Sequence, residues 1–272
     1  MNTLRLERDG HVGWLYLDRP DKLNSFTIEM WRELAELGDE LRTDPDLRAL
    51  VVIGAGRAFS SGIDTSVFSG GDGANALDAG PEPGSRHDDP AVDAIMRTQD
   101  AYTWLEEAPF ATIAAVRGYA LGAGLQIALA CDIRVVARDT KLGLLEFKYG
   151  IIPDLGGTQR LPRLVGAGKA KELIFTAARV DAGEAHRIGL AERLVDGDEL
   201  ERVAGELAAA VAAQPPLAVR GAKGAVNAAA HASVRDGLRV EAEAQATCLR
   251  SDDMKEAIAA FVEQRSPQYH GR

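Results

Sequence analysis

Cysteine is scarce in this chain. Two thiols, Cys131 and Cys248, stand far apart in 272 residues, and neither has the CxxC or Cys/His spacing of a zinc or redox site. They read as buried thiols of a reducing compartment. The five histidines are scattered without metal-ligand spacing, so no metal site is expected. Positive charge is in deficit: 31 Lys and Arg face 41 Asp and Glu, for a net charge of −10. Nucleic-acid binding is therefore not expected, because phosphate contacts need clustered Lys and Arg. A local basic pocket for a phosphorylated small molecule stays open. No apolar run approaches the roughly 20 residues of a membrane span. The first ten residues, MNTLRLERDG, are too charged for a signal peptide. The expectation is a soluble cytoplasmic protein with no membrane partner. Its apolar content of 46 % is enough to build a real core.

The pattern of elements alternates. TLRLER and VGWLYL flank Asp9-Gly10, a hairpin turn pair. Thr27 is placed to cap a helix whose apolar face is Met30, Trp31, Leu34, Leu37 and Leu41, ended by Asp44-Pro45. RALVVIGAG reads as a buried strand that runs into the turn GRAFSSGID. Residues 69–90 are rich in Gly, Pro and Asp without apolar periodicity, so they read as a mobile loop: a lid or a plain surface insertion. Asp89-Pro90 then opens a helix to about Glu107. FATIAAVRG and IRVVARD are further strands, and Asp181 with Glu184 has capping-box spacing. Beyond about Asp196 the chain is Ala-rich and helical, broken at Pro215-Pro216. Strands alternating with helices, then helices alone, predict an α/β body over 1–195 and a helical region over 196–272.

Most chemical motifs are missing. GAGK at 166–169 is followed by Ala170 rather than Ser or Thr and has no upstream glycine, so it is no phosphate loop. GAGLQI lacks the third glycine of a dinucleotide fingerprint, and no G-x-S-x-G elbow is present. What remains is backbone chemistry and carboxylates. Two glycine turns, SSGID at 60–64 and LGAGL at 121–125, each follow a buried strand. Free N–H groups at such turns can hold a developing oxyanion. The same glycines also suit tight turns that need positive φ or close packing.

RPDKLNSF, GRAFSSGID, VRGYALGAGLQIALACDIRV, GIIPDLGGTQRLPRLVG and KEAIAAFVEQRSPQ occur in this order. Together they resemble the crotonase superfamily, the enoyl-CoA hydratase/isomerase family, over nearly the whole chain. The resemblance implies an α/β spiral of ββα turns with a helical C-terminal region, assembled as a homotrimer or dimer of trimers. It implies an acyl-CoA thioester as substrate, with CoA part of that substrate and no separate cofactor. It also implies an oxyanion hole made by the N–H groups of Ile63 and Ala123. Ser61, Gly62, Asp64, Thr65, Ser66, Gly122 and Gly124 match positions around the thioester. The family pattern prefers Gly at 123; Ala keeps the N–H and adds a methyl group, which would seat the acyl group differently.

Resembling hydratases hold their water between two glutamates. Here the first position is Gln126 and the second is Glu146. An amide can orient water but cannot exchange protons with it. The resemblance therefore implies an enoyl-CoA isomerase, in which one base moves a proton from C2 to C4. It also implies that Gln126→Glu would restore the pair and raise hydration. Asp154, eight residues after Glu146, matches a second acid in resembling dienoyl-CoA isomerases. Resembling dehalogenases use an acid there as nucleophile but have an aromatic in place of Glu146. Hydratase, dienoyl-CoA isomerase using Glu146 and Asp154, and a non-catalytic acyl-CoA-binding protein are the alternatives. Each side chain also has a structural reading. Glu146 can cap or pair locally, Asp154 can cap a helix after Pro153, and Gln126 can be a hydrogen-bonding residue on a small-residue helix.

Overall fold

The first strands are β1 (Leu4–Asp9) and β2 (Val12–Leu17), an antiparallel hairpin. Asp9 pairs with Val12, so the two loop residues are Gly10 and His11, one position later than the sequence suggests, with Gly10 at φ +55°. The computed structural model describes residues 1–68 and 85–272. The expected loop at 69–90 lies mostly outside the described residues.

After β2 the chain repeats one unit. A strand joins a large sheet, a short segment joins a small one, and a helix returns. The large sheet has the order β1-β2-β3-β4-β6-β9, with β3 (Ala49–Gly54), β4 (Ala111–Val116), β6 (Ile133–Ala137) and β9 (Arg193–Val195) parallel to β2. The second wall stacks short segments in parallel: Phe26 against Ile63, Ser60 against Ala120, and β5 (Tyr119–Leu121) against β7 (Lys141–Gly143). Strand β8 (Val180–Asp181) closes this wall antiparallel to β7. The result is a ββα spiral.

Helix α1 (Ile28–Leu41) starts as its sequence dictates, with the Thr27 hydroxyl accepting the Met30 N–H at 3.2 Å. Its stripe of Met30, Trp31, Leu34, Leu37 and Leu41 is buried against Leu15, Leu17, Leu50 and Val52 of the large sheet. Helix α2 (Pro90–Glu107) is capped by Asp89, whose carboxylate accepts the Ala91 N–H. Helix α3 (Ala123–Ala130) is buried on every side, which its run of small and apolar residues permits. Helices α4 (Gly157–Val165), α5 (Ala167–Thr176) and α6 (Ala182–Arg187) follow, α6 capped by Asp181.

The other face of the large sheet is covered by α7 (Leu200–Ala212). Leu200, Ala204, Ala208 and Ala212 repeat every four residues and lie on Val51, Ile53, Ile113 and Val135. Helices α8 (Pro216–Ala228), α9 (Val234–Arg250) and α10 (Asp252–Glu263) complete the chain. Lys223 fastens α8 to the body through Asp132 at 2.8 Å and the carbonyls of Leu105 and Phe110 at 2.8 and 3.0 Å. Among the described residues no helix is long and apolar enough to cross a membrane.

Candidate active site

The two glycine turns meet where the second wall is stacked. Ser60 donates its N–H to the Tyr119 carbonyl at 2.8 Å and accepts the Leu121 N–H at 3.1 Å. The chain at Gly62 then passes so near β5 that a Cβ there would stand 2.9 Å from the Leu121 carbonyl oxygen. Its φ of +105° adds a second reason for glycine. On either side of Ile63, the Gly62 carbonyl accepts the Phe26 N–H and the Asp64 N–H donates to the Phe26 carbonyl, while the Ile63 N–H has no acceptor among the described residues.

Gly122 makes the second turn at φ +51°. Its N–H donates to the Gly143 carbonyl at 2.8 Å, and its carbonyl accepts the Gln126 N–H at 3.0 Å. Ala123 is the first residue of α3, so its N–H is one of the helix's free donors. A Cβ on Gly62 would lie 3.9 Å from this nitrogen, so the two turns bring their free donors to one spot. The Ala123 carbonyl is braced by the Tyr102 hydroxyl at 3.2 Å, and that oxygen accepts the Trp31 indole N–H.

A cavity of about 90 Å³ opens at this spot. Ser61, Gly62, Ile63 and Thr65 line one side; Gly122, Ala123 and Glu146 line the other. The Gly124 backbone instead meets Ser60, where a Cβ would come within 2.6 Å of the Ser60 Cβ; this glycine lets α3 approach the turn. Asp64 also faces away. Its carboxylate accepts from Arg19 and Ser25 at 3.0 Å and from the Ser66 hydroxyl and N–H at 2.8 and 3.1 Å. The Ser66 donors, with Arg19 and Ser25, hold this carboxyl well below the usual carboxylate range. Asp64 and Ser66 thus tie the 60–66 turn to the loop at 19–25, and neither lines the cavity.

Glu146 follows β7 and opens a short 3-10 turn, Glu146–Tyr149. It is 4 % exposed. Its Oε1 accepts the Gln126 amide at 2.8 Å, while Oε2 is buried without a hydrogen-bond partner among the described residues. Gly122 makes room for it, since a Cβ there would sit 3.3 Å from Oε1. Burial pushes the Glu146 carboxyl up, and the charge of Asp154 adds to that. Its own N–H and the Gln126 amide oppose them. A carboxylate with one oxygen held and one free, beside two free N–H groups, can move a proton next to a carbonyl whose developing charge those groups stabilise.

Asp154 is half-buried, and burial pushes its carboxyl up. It lines a different cavity, about 860 Å³, which shares Ile151 with the smaller one. The reading of Asp154 as a helix cap does not hold: α4 begins after Gly156 with no side-chain cap. Sequence reasoning missed Tyr102, Gly157 and Asn24. Asn24 is fully buried and its amide donates to the carbonyls of Ala55 and Ala58 at 2.9 and 2.8 Å, ordering the first turn. The Asn within RPDKLNSF was the only signal for it.

Residues 7–272 match the family described as Enoyl-CoA hydratase/isomerase. The chain is 36 % identical to the short-chain-enoyl-CoA hydratase of Clostridium acetobutylicum over 97 % of its own length and 96 % of the relative's. It is 35 % identical to the 1,2-epoxyphenylacetyl-CoA isomerase of Escherichia coli, over 95 % and 94 %. A Thermobifida fusca structure described as a putative enoyl-CoA hydratase in complex with acetoacetyl-CoA superposes with a TM-score of 0.82 at 37 % identity, covering 91 % of this chain and 94 % of that one. Motif order, spiral and paired turns agree with these similarities: the chain is an enzyme of the enoyl-CoA hydratase/isomerase family, with the crotonase fold.

Proposed function

We propose that this enzyme is an enoyl-CoA isomerase that moves a double bond from C3–C4 to C2–C3 of an acyl-CoA thioester. One observation carries the reading. Glu146 lines the cavity with one oxygen unpartnered among the described residues, and its neighbour is an amide in direct 2.8 Å contact rather than a second acid. The thioester carbonyl lies between the N–H groups of Ile63 and Ala123. Glu146 Oε2 takes a proton from C2, and the electron pair spreads as a dienolate onto the carbonyl oxygen. The two N–H groups hold that charge without side-chain bulk. The same carboxyl returns the proton at C4, so no proton is gained or lost. Gln126 has no proton to exchange at neutral pH, which leaves hydration without its second group. The Thermobifida fusca relative in complex with acetoacetyl-CoA supports a CoA thioester as the ligand class.

A second reading is supported by Asp154. Burial raises its proton affinity, and its charge reaches Glu146. In that reading Asp154 supplies the second acid of a dienoyl-CoA isomerase or a hydratase, the activity named for the Clostridium acetobutylicum relative. Helices α9 and α10 leave Val234, Leu238, Ile258 and Phe261 exposed, which supports the proposed homotrimer or dimer of trimers.

Absorbance assays with 3-enoyl-CoA and 2-enoyl-CoA test the assignment. Faster isomerisation than hydration is expected. Equal rates make hydratase the better name, and binding without turnover of either makes the chain an acyl-CoA-binding protein.

A further inference from the structure

Gln126 is buried like a core side chain, at 1 % exposure, and both ends of its amide are engaged. Its Oε1 accepts the Gly157 N–H at 2.9 Å, and its Nε2 donates to Glu146 Oε1 at 2.8 Å. A backbone N–H can only donate, so the carbonyl end of the amide must face Gly157 and the NH₂ end must face Glu146. Gly157 is the first residue of α4, where the free N–H groups of a helix concentrate partial positive charge. Glycine is needed there, because a Cβ would lie 3.0 Å from Gln126 Oε1 and 2.9 Å from the Pro153 Cβ. The chain of contacts runs from the start of α4, through the amide, to one oxygen of the carboxylate. The other oxygen, Oε2, is buried and has no hydrogen-bond partner among the described residues, and Glu146 is one of the residues that line the cavity.

We propose that Gln126 is a positioning residue that carries the donor end of α4 to Glu146, fixes Oε2 as the working oxygen and keeps that carboxylate charged in a buried site. The inference rests on the reading of Glu146 as the acid/base. A hydrogen-bonded donor favours the ionised form of a buried acid, and polarisation of the amide by the Gly157 N–H strengthens that donor. The Glu146 backbone N–H also favours the charged form; the other side chains around Glu146 act against it or stay neutral. Asp154 repels its charge, and the buried Tyr102 phenol, reaching in from α2, stays protonated because burial pushes it up. Lys148 lies in the 3-10 turn opened by Glu146 itself. On α5, packed against that turn, Lys169 is paired with Glu172. Gln126 is thus the side chain that opposes burial by direct contact.

The test is the pH profile of kcat/KM for 3-enoyl-CoA in wild type, Gln126→Met and Gln126→Asn. Methionine keeps the bulk and removes the donor. Asparagine keeps an amide one methylene too short to span both partners, and it serves if the methionine variant does not fold. The acid limb is expected to move up by about one pH unit in Gln126→Met, a roughly tenfold loss at a pH below the wild-type limb, with recovery in alkali. Gln126→Asn moves in the same direction by less. A lower rate with an unmoved limb in the folded variants overturns the proposal and leaves Gln126 a packing residue. Glu146→Gln is measured alongside. If it turns over normally, the reading of Glu146 itself has failed; if it is dead while the limbs stay in place, only the role of Gln126 has failed.

Discussion

Replacing Gln126 by Glu puts an oxygen where Nε2 now stands, 2.8 Å from Glu146 Oε1. The motif alone suggests a restored catalytic pair. The contact distance predicts a different first effect. Two charged oxygens at 2.8 Å repel by about 6 kcal/mol at an effective dielectric near 20. At 1.36 kcal/mol per unit, that is roughly four pKa units, so the pair keeps one proton well above neutral pH. The Gly157 N–H stabilises the charge on the 126 side, which leaves the proton on Glu146. The base is then lost at neutral pH. Isomerisation of 3-enoyl-CoA should fall by about 10²-fold at pH 7, the usual worth of a positioned base, and recover as the pH rises. Hydration of crotonyl-CoA, followed in the same samples, stays low because the carboxyls touch each other instead of a water between them. An unshifted profile with wild-type turnover at pH 7 would show that the two side chains are not in contact in the working enzyme.

Two further outcomes follow from the turns. Gly122→Ala forces a Cβ into a positive-φ position at 3.3 Å from Glu146 Oε1; it should cost about 1–3 kcal/mol in denaturant unfolding and a larger fraction of turnover, whereas unchanged kinetics would contradict the packing of Glu146 on that glycine. Asp64→Asn removes a carboxylate whose folded pKa is depressed, so its contribution, about 1.5–3 kcal/mol, is present above the unfolded pKa and lost as the pH falls through the folded one. The melting-temperature gap to wild type should be full at pH 7 and shrink below about pH 4; a gap independent of pH would show that the charge is not what matters.

Local rules carried much of the fold. The Thr27 cap and its apolar stripe, the Asp89-Pro90 start of α2 and the Asp181 cap of α6 all follow from neighbouring residues. The ordered motifs were enough to identify the family and to bring Ile63, Ala123 and Glu146 together as candidates. What could not be seen was pairing across sequence. Gln126 finds its second partner 31 residues later, at a backbone N–H that leaves no trace in residue type. Asp64 finds Arg19 45 residues earlier, so a carboxylate that reads as a ligand group serves as a brace. The hairpin turn slipped by one position because Asp9-Gly10 and Gly10-His11 both place a glycine at positive φ, and only the register of Asp9 with Val12 decides between them.

In the proposed reaction one buried carboxylate, Glu146, moves the proton. Glu146→Gln keeps the size and the contact with residue 126 but cannot exchange a proton. Single-turnover measurement with 3-enoyl-CoA, with acyl-CoA binding measured in parallel, separates chemistry from binding. Near-normal binding is expected, with a loss of at least about 10²-fold in the rate of double-bond migration. Migration near the wild-type rate in the Glu146→Gln enzyme would contradict it.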